Sequence, residues 1–212
     1  MEKKAIFANS SPNSSKNKMK DTSSLAEMLY ERIREAPPYS WFPSPPELIE
    51  LMIEEAQIIS GIYALEPTAG DGLLAQAMVR AGAIVDVIEI NPLLQQLLFQ
   101  KGFNLVGSDF FTTEPQRRYS RILANPPFST PHIKGVDLDI IQRAYNLFLG
   151  NSGRLVSVVS NSMNVRGDPR SQAFRAFLKR TSAKLIELPL EIFWGSDRPV
   201  TVESYLVVID KK

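Results

Sequence analysis

Four consecutive residues, Asn125-Pro126-Pro127-Phe128, end an apolar run (Arg121 to Asn125) with an uncharged amide, two rigid residues and an aromatic ring. The prolines fix the backbone and remove donors, leaving carbonyl oxygens free to accept. The Asn125 side-chain oxygen and the Pro126 carbonyl could then grip both hydrogens of a planar amino group, while Phe128 stacks on its ring. Such a clamp aims a nitrogen lone pair. The proline doublet alone carries little, since it recurs at Pro37-Pro38 and Pro45-Pro46, and a turn with Asn125 as its former would read the same way. What gives it weight is its place at the end of an apolar strand.

Three other apolar runs also end in polar or glycine-rich turns. Leu65-Glu66-Pro67-Thr68-Ala69-Gly70-Asp71-Gly72 lets the backbone approach a ligand, yet lacks both the full G-x-G-x-x-G spacing and a Walker lysine. A nucleotide-like ligand without phosphates fits it better than a phosphate does, and a plain tight turn fits as well. Glu89 follows the glycine turn by about 20 residues, the separation at which a ribose diol finds its acceptor; otherwise it caps the helix beginning near Pro92. Asp109-Phe110 could accept from an adenine amino group and pack on its ring, or form an acidic turn beside core aromatics.

These turns need a scaffold that brings strand ends together. Short β-rich runs (Ile62 to Glu66, Ile84 to Glu89, Asn104 to Val106, Arg121 to Asn125, Leu155 to Ser160, Leu185 to Leu188, Tyr205 to Ile209) alternate with helical patterns at Leu73 to Arg80, Leu93 to Gln100, Asp137 to Leu149 and Ser171 to Lys179. Continuously apolar strands separated by helices predict a doubly wound α/β domain, with a mostly parallel seven-stranded sheet covered on both faces. Ligands bind such sheets beyond the strands' carboxyl ends. The last two strands have no helix between them and should pair antiparallel at one edge. A short helical lead precedes the sheet, from Leu25 to Glu35 and from Pro45 to Ile59, the second opened by a Ser44/Glu47 capping box with Pro45 at its first position. Residues 1–24 are rich in Ser, Asn and Lys, with too little apolar surface to offset ordering, which predicts a disordered tail before a single domain over 25–212.

Composition narrows the chemistry. With no cysteine and one histidine, His132, the sequence excludes a disulfide framework, an iron–sulfur cluster, a thiol nucleophile and an ordinary structural zinc site, so no metal is expected. Lys and Arg number 24 against 23 Asp and Glu, which leaves the partner class open while allowing a local basic face. Arg166, Arg170, Arg175, Lys179 and Arg180 are candidates for a phosphate-facing edge or a solvated helix face. Trp194 reads as a loop anchor or a nucleic-acid contact, and His132 as a surface residue. Without a membrane span or signal peptide in the sequence, the expectation is a cytoplasmic protein.

From about Trp41 to Asp210, the residues resemble the S-adenosylmethionine-dependent amino-methyltransferases, in particular the gamma-type adenine-N6 DNA methyltransferases. Asn125-Pro126-Pro127-Phe128 is the specific part. Phe42-Pro43-Ser44-Pro45 resembles the amino-terminal cofactor motif with Ser44 where Thr is usual, Leu65 to Gly72 the glycine-rich motif, Glu89 the ribose acid, and Asp109-Phe110 the adenine-contacting pair. Gly153 to Val159 resembles the fifth strand, and Glu187 to Phe193 the segment from which an aromatic stacks on a flipped base.

The resemblance implies a Rossmann-like class I methyltransferase fold with S-adenosyl-L-methionine as cofactor. Cofactor contacts fall at Ser44, Glu66, Pro67, Thr68, Gly70, Gly72, Glu89, Ile90, Asp109, Phe110 and Asn125. Asn125, Pro126, Pro127 and Phe128 would be catalytic, and Phe128 and Phe193 would contact the base. It implies methyl transfer to the amino nitrogen of adenine in DNA. The alternatives are a base in ribosomal or transfer RNA, a protein glutamine, or a non-catalytic cofactor-binding subunit. The sequence stops almost directly after its last strand, so no separate target-recognition domain is expected. Recognition then falls to the loops Ser129 to Val136 and Asn161 to Arg170, to the basic tail, or to a partner subunit.

Overall fold

A computed structural model describes residues 14–38 and 41–212, with side chains from residue 24 onward. Of the tail expected over 1–24, residues 1–13 lie outside the described residues, and 14–24 are the first turns of helix α1, Ser14–Glu35, which also includes the expected Leu25 to Glu35. Seven strands follow in chain order: β1 (Tyr63–Glu66), β2 (Ile84–Ile88), β3 (Asn104–Gly107), β4 (Tyr119–Ala124), β5 (Leu149–Ser160), β6 (Lys184–Glu187) and β7 (Ser204–Asp210). They form one sheet in the order β3-β2-β1-β4-β5-β7-β6. β1 to β5 are parallel, and β7 runs antiparallel between β5 and β6, so the expected antiparallel pair forms one edge.

The central strands are continuously apolar because they feed two cores. Ala64 of β1 packs on one face and Leu65 on the other; on β5, Val156 and Val158 oppose Leu155 and Val159. Helices α2 (Pro46–Ala56) and α3 (Leu73–Arg80) cover the first face, through Leu48, Met52, Leu74 and Met78. The second face is covered by α5 (Val136–Arg143), the π-helical turn Ala144–Phe148 and α7 (Pro169–Arg180), through Ile141, Phe148, Phe174 and Phe177. A short helix, α6 (Ser162–Val165), follows β5. Helix α4 (Pro92–Gln100) gives Leu98 to the first core and Leu94 and Leu97 to a third cluster with Leu29, Ile33 and Trp41, which docks α1. Among the described residues no helix is long and apolar enough to cross a membrane.

One local expectation is corrected. Helix α2 begins at Pro46 with Pro45 as its cap residue, no side chain caps it, and it ends at Ala56 because Gln57 turns left-handed at φ 48°. Ser44 does not form the capping box; it bonds across the sheet end to Asn125.

Candidate active site

The carboxyl ends of β1, β2 and β4 open into one cavity, walled on the far side by Trp41, Phe42, Pro43 and Ser44. The turn after β1 is held by backbone and carboxylate together. The Ala69 N–H donates to the Ile88 carbonyl at 3.0 Å, and the Gly70 N–H donates to Glu89 Oε2 at 2.8 Å. Gly70 stands at φ 55°, a region that costs any side chain strain, and an added Cβ would sit 3.5 Å from the Trp41 ring. Glu89 Oε1 accepts from the Asn91 N–H at 2.8 Å, whereas the helix end of α4 is capped by Asn91, which accepts from Leu93 and Leu94. Glu89 thus binds backbone on both sides of the cavity and is not the helix cap.

The wall is anionic. Glu66, Asp71, Glu89 and Asp109 line it, and no lysine or arginine does. Burial pushes the Glu66 carboxyl well above the ordinary carboxylate range, and neighbouring Asp71 adds to the rise. Burial also raises Asp71 and Glu89, against the lowering effect of the backbone N–H groups they accept. Lys101 approaches from outside, its Nζ donating to the Asp71 carbonyl at 2.6 Å. Trp41 Nε1, Glu66 Oε2, Thr68 Oγ1 and Asp71 Oδ2 are buried on this wall without a partner among the described residues. Unpaired buried polar atoms are costly, so four of them around one cavity mark a place where a ligand completes the bonding. The ligand this lining suits carries positive charge and no phosphate.

Beyond the Asn125 side chain lies a second, more apolar cavity, lined by Phe42, Asn125, Pro126, Pro127, Phe128, Phe193, Arg198, Val200 and Val202. Phe42, Asn125 and Pro127 line both cavities. Asn125 Nδ2 donates to Ser44 Oγ at 3.0 Å and to the Phe42 carbonyl at 3.4 Å. With its donors held, the amide presents Oδ1 as acceptor. Neither Asn125 Oδ1 nor the Pro126 carbonyl accepts a hydrogen bond among the described residues. Arg198 lies over the Phe42 ring at 4.2 Å and donates to the Pro38 and Trp41 carbonyls at 3.0 Å each, which ties the loop carrying Phe193 to the segment carrying Phe42.

The structure gathers most of the expected site. Ser44, Glu66, Pro67, Thr68, Gly70, Glu89, Ile90, Asp109, Phe110 and Asn125 line the first cavity, and Pro126, Phe128 and Phe193 the second. Gly72 lines neither. At φ 80° it starts α3, and a Cβ there would meet Leu98 at 2.7 Å and Phe103 at 2.9 Å. Phe193 is a buried floor at 3% exposure, whereas Trp194 beside it is exposed and bonds Thr201. His132 is exposed at the tip of a small loop closed by a bridge between Ser129 and Lys134. Sequence reasoning missed Trp41 and Asp71 as wall residues; the only signal was their adjacency to Phe42 and to the glycine turn.

No protein-family model matches the chain, and no curated protein sequence does. Solved structures do. A type I restriction-modification methyltransferase subunit from Streptococcus thermophilus superposes with a TM-score of 0.70 at 15% identity, over 90% of this chain and 49% of that one. The type I restriction enzyme EcoKI M protein gives 0.63 at 16%, over 82% of this chain and 45% of that one. The 23S rRNA methyltransferase ErmE gives 0.55 at 15%, over 81% and 70%. The chain shares their fold. It spans about half the length of the two restriction-modification structures, and at such identity the likeness is one of architecture, so function is argued from the site.

Proposed function

We propose that this chain is an S-adenosylmethionine-dependent methyltransferase acting on the exocyclic amino nitrogen of adenine in DNA. The observation that carries the reading is Asn125, whose unpartnered acceptor stands where a cavity lined by carboxylates meets an apolar one. Bound S-adenosylmethionine supplies an electrophilic methyl group on a sulfonium. The lining fits that group: Glu66 and Asp71 face its cationic end, Glu89 accepts from its ribose, and Asp109 with Phe110 takes its adenine. The Ser44 hydroxyl, while accepting from Asn125, keeps its own proton for the methionine carboxylate.

In the second cavity, Asn125 Oδ1 and the Pro126 carbonyl hold the two hydrogens of the amino group, and Phe128 stacks on the ring. That grip turns the nitrogen lone pair toward the first cavity. Catalysis is alignment plus stabilisation of the positive charge growing on nitrogen, and alignment alone can supply roughly 7–11 kcal/mol. A base in a duplex must be swung out at a cost of a few kcal/mol, offset in part by Phe128 over the apolar floor of Phe193.

DNA heads the reading because Asn125-Pro126-Pro127-Phe128 resembles the motif of the adenine-N6 DNA methyltransferases, with a base in ribosomal or transfer RNA as the second reading; the restriction-modification and rRNA enzymes share the fold alike. Target choice falls to the loops 129–136 and 161–170 or to a partner subunit. Incubating the pure protein with radiolabelled cofactor and, separately, duplex DNA, single-stranded DNA, ribosomal RNA and protein extract tests the reading. Label is expected on adenine N6 in DNA, abolished by Asn125→Ala while binding of the demethylated cofactor survives. Label in protein alone would defeat the proposal.

A further inference from the structure

The acceptor cavity continues into a groove, with which it shares Phe128, Ser129 and Val202. The groove is further lined by Lys134, Ser160, Asn161, Ser162, Val165, Arg166 and Glu203. Building on the methyl-transfer reading above, we propose that it seats a phosphodiester strand, the phosphate flanking the acceptor residue lying beside Lys134, Arg166 and the Ser162 hydroxyl.

The basic residues divide by what they already bind. Arg170 Nη1 donates to the Lys134 carbonyl at 2.6 Å, and its Nε pairs with Asp139 at 3.4 Å. Arg175 donates to the carbonyls of Met163 and Arg166. Both are therefore spent fixing the backbone beneath Lys134 and Arg166. The side chains of Lys134 and Arg166 make no hydrogen bond or ion pair among the described residues. Ser160 Oγ and Ser162 Oγ lie 2.5 Å apart; Ser160 is buried with its hydroxyl against the Asp137 carboxylate, so Ser162 is the hydroxyl at the groove surface. Asp137 accepts the Ser160 N–H from behind at 3.0 Å. Glu203, the one carboxylate lining the groove, is taken by Asn161 Nδ2 at 2.5 Å.

Two cations on buttressed backbone with no hydrogen-bonded or ion-paired partner among the described residues, Asp168 being the charged neighbour of Arg166, together with the Ser162 hydroxyl, match an anion that follows an aromatic-walled base pocket. A free nucleoside would fill the acceptor cavity and use none of them. Strand binding should accordingly release counterions, and removing each cation should lower the slope of log affinity against log salt by about one.

The test is fluorescence anisotropy with single-stranded DNA, duplex DNA and RNA oligomers across a salt series, for the wild type, Lys134→Ala, Arg166→Ala and the double variant, with Lys134→Arg as rescue. Calorimetry with the demethylated cofactor runs in parallel. Each alanine should weaken strand binding and flatten its salt slope, the double variant by about two, with cofactor-product affinity unchanged and Lys134→Arg near wild type. Either DNA or RNA giving this pattern supports the proposal, and the tighter binder identifies the sugar. An unchanged slope in the double variant, or no preference for a strand over adenosine, overturns it. Salt-dependent strand binding without any methyl transfer would sink the function proposed above and leave the groove standing; equal transfer to free adenosine in wild type and double variant would do the reverse.

Discussion

The Asn125 amide has two ends with different duties. Its Nδ2 hydrogens are held by Ser44 Oγ and the Phe42 carbonyl, which leaves Oδ1 to the acceptor. Ser44→Ala should remove about 1 kcal/mol of that hold and so slow single-turnover transfer about fivefold, and should weaken product affinity by a similar factor through the lost carboxylate contact, with Ser44→Thr restoring both. A rate equal to wild type in Ser44→Ala would refute this role. Glu89 uses both carboxylate oxygens on backbone N–H groups, from Gly70 and Asn91. Glu89→Gln replaces one acceptor by a donor facing an N–H, and calorimetry should show cofactor affinity at least tenfold weaker. Asn125 and Glu89 were legible in the sequence because an amide or an acid at a strand end is uncommon without a task. Trp41 was not, since a lone aromatic before a proline motif reads equally as core. Its indole N–H, buried and unpartnered on the cavity wall, becomes apparent only once the fold brings it there.

At the scale of elements, the glycine turn separates two duties that sequence reading had merged. Gly70 touches the cavity, whereas Gly72 lets α3 start against α4 and the Phe103 ring. Gly72→Ala combines a positive φ with a Cβ 2.7 Å from Leu98, a strain and packing cost of about 1–3 kcal/mol. In a chain of this size that lowers Tm by about 2–4 °C per kcal/mol. Thermal melting should show the loss, and a melting temperature equal to wild type would mean the turn has room the coordinates deny. The alternation of apolar runs and helical patterns revealed the sheet because both its faces are covered, a constraint local sequence expresses directly. The start of α2 was misread because a Ser two residues before a helix is chemically free to cap it or to reach elsewhere. Only the neighbouring end of β4 settles which. The small loop bridged from Ser129 to Lys134 was similarly hidden, since no period-two pattern marks it.

Across the whole molecule, the buried acids make folding and binding depend on pH in opposite directions. Glu66, Asp71 and Glu89 hold their protons to higher pH in the folded cavity than in the unfolded chain. Asp137, buried under the Ser160 N–H, is likewise pushed up to about 6. Between the ordinary and raised values the folded state carries more protons, so these groups lose stability as pH rises through that window. Asp210, held low by Arg154, acts the other way, contributing stability above its ordinary range that is lost on acidification. A cation in the cavity prefers the deprotonated carboxylates. S-adenosylmethionine affinity should therefore increase as pH rises above the ordinary carboxylate range, with proton release on binding, while Asp137 and Asp210, outside that cavity, drop out of the bound-minus-free difference. Titration calorimetry in two buffers of different ionisation enthalpy measures both quantities. Affinity that stays flat or weakens over that rise in pH, or proton uptake on binding, would show that Glu66 and Asp71 do not face the ligand's charge, and the carboxylate wall would need another occupant.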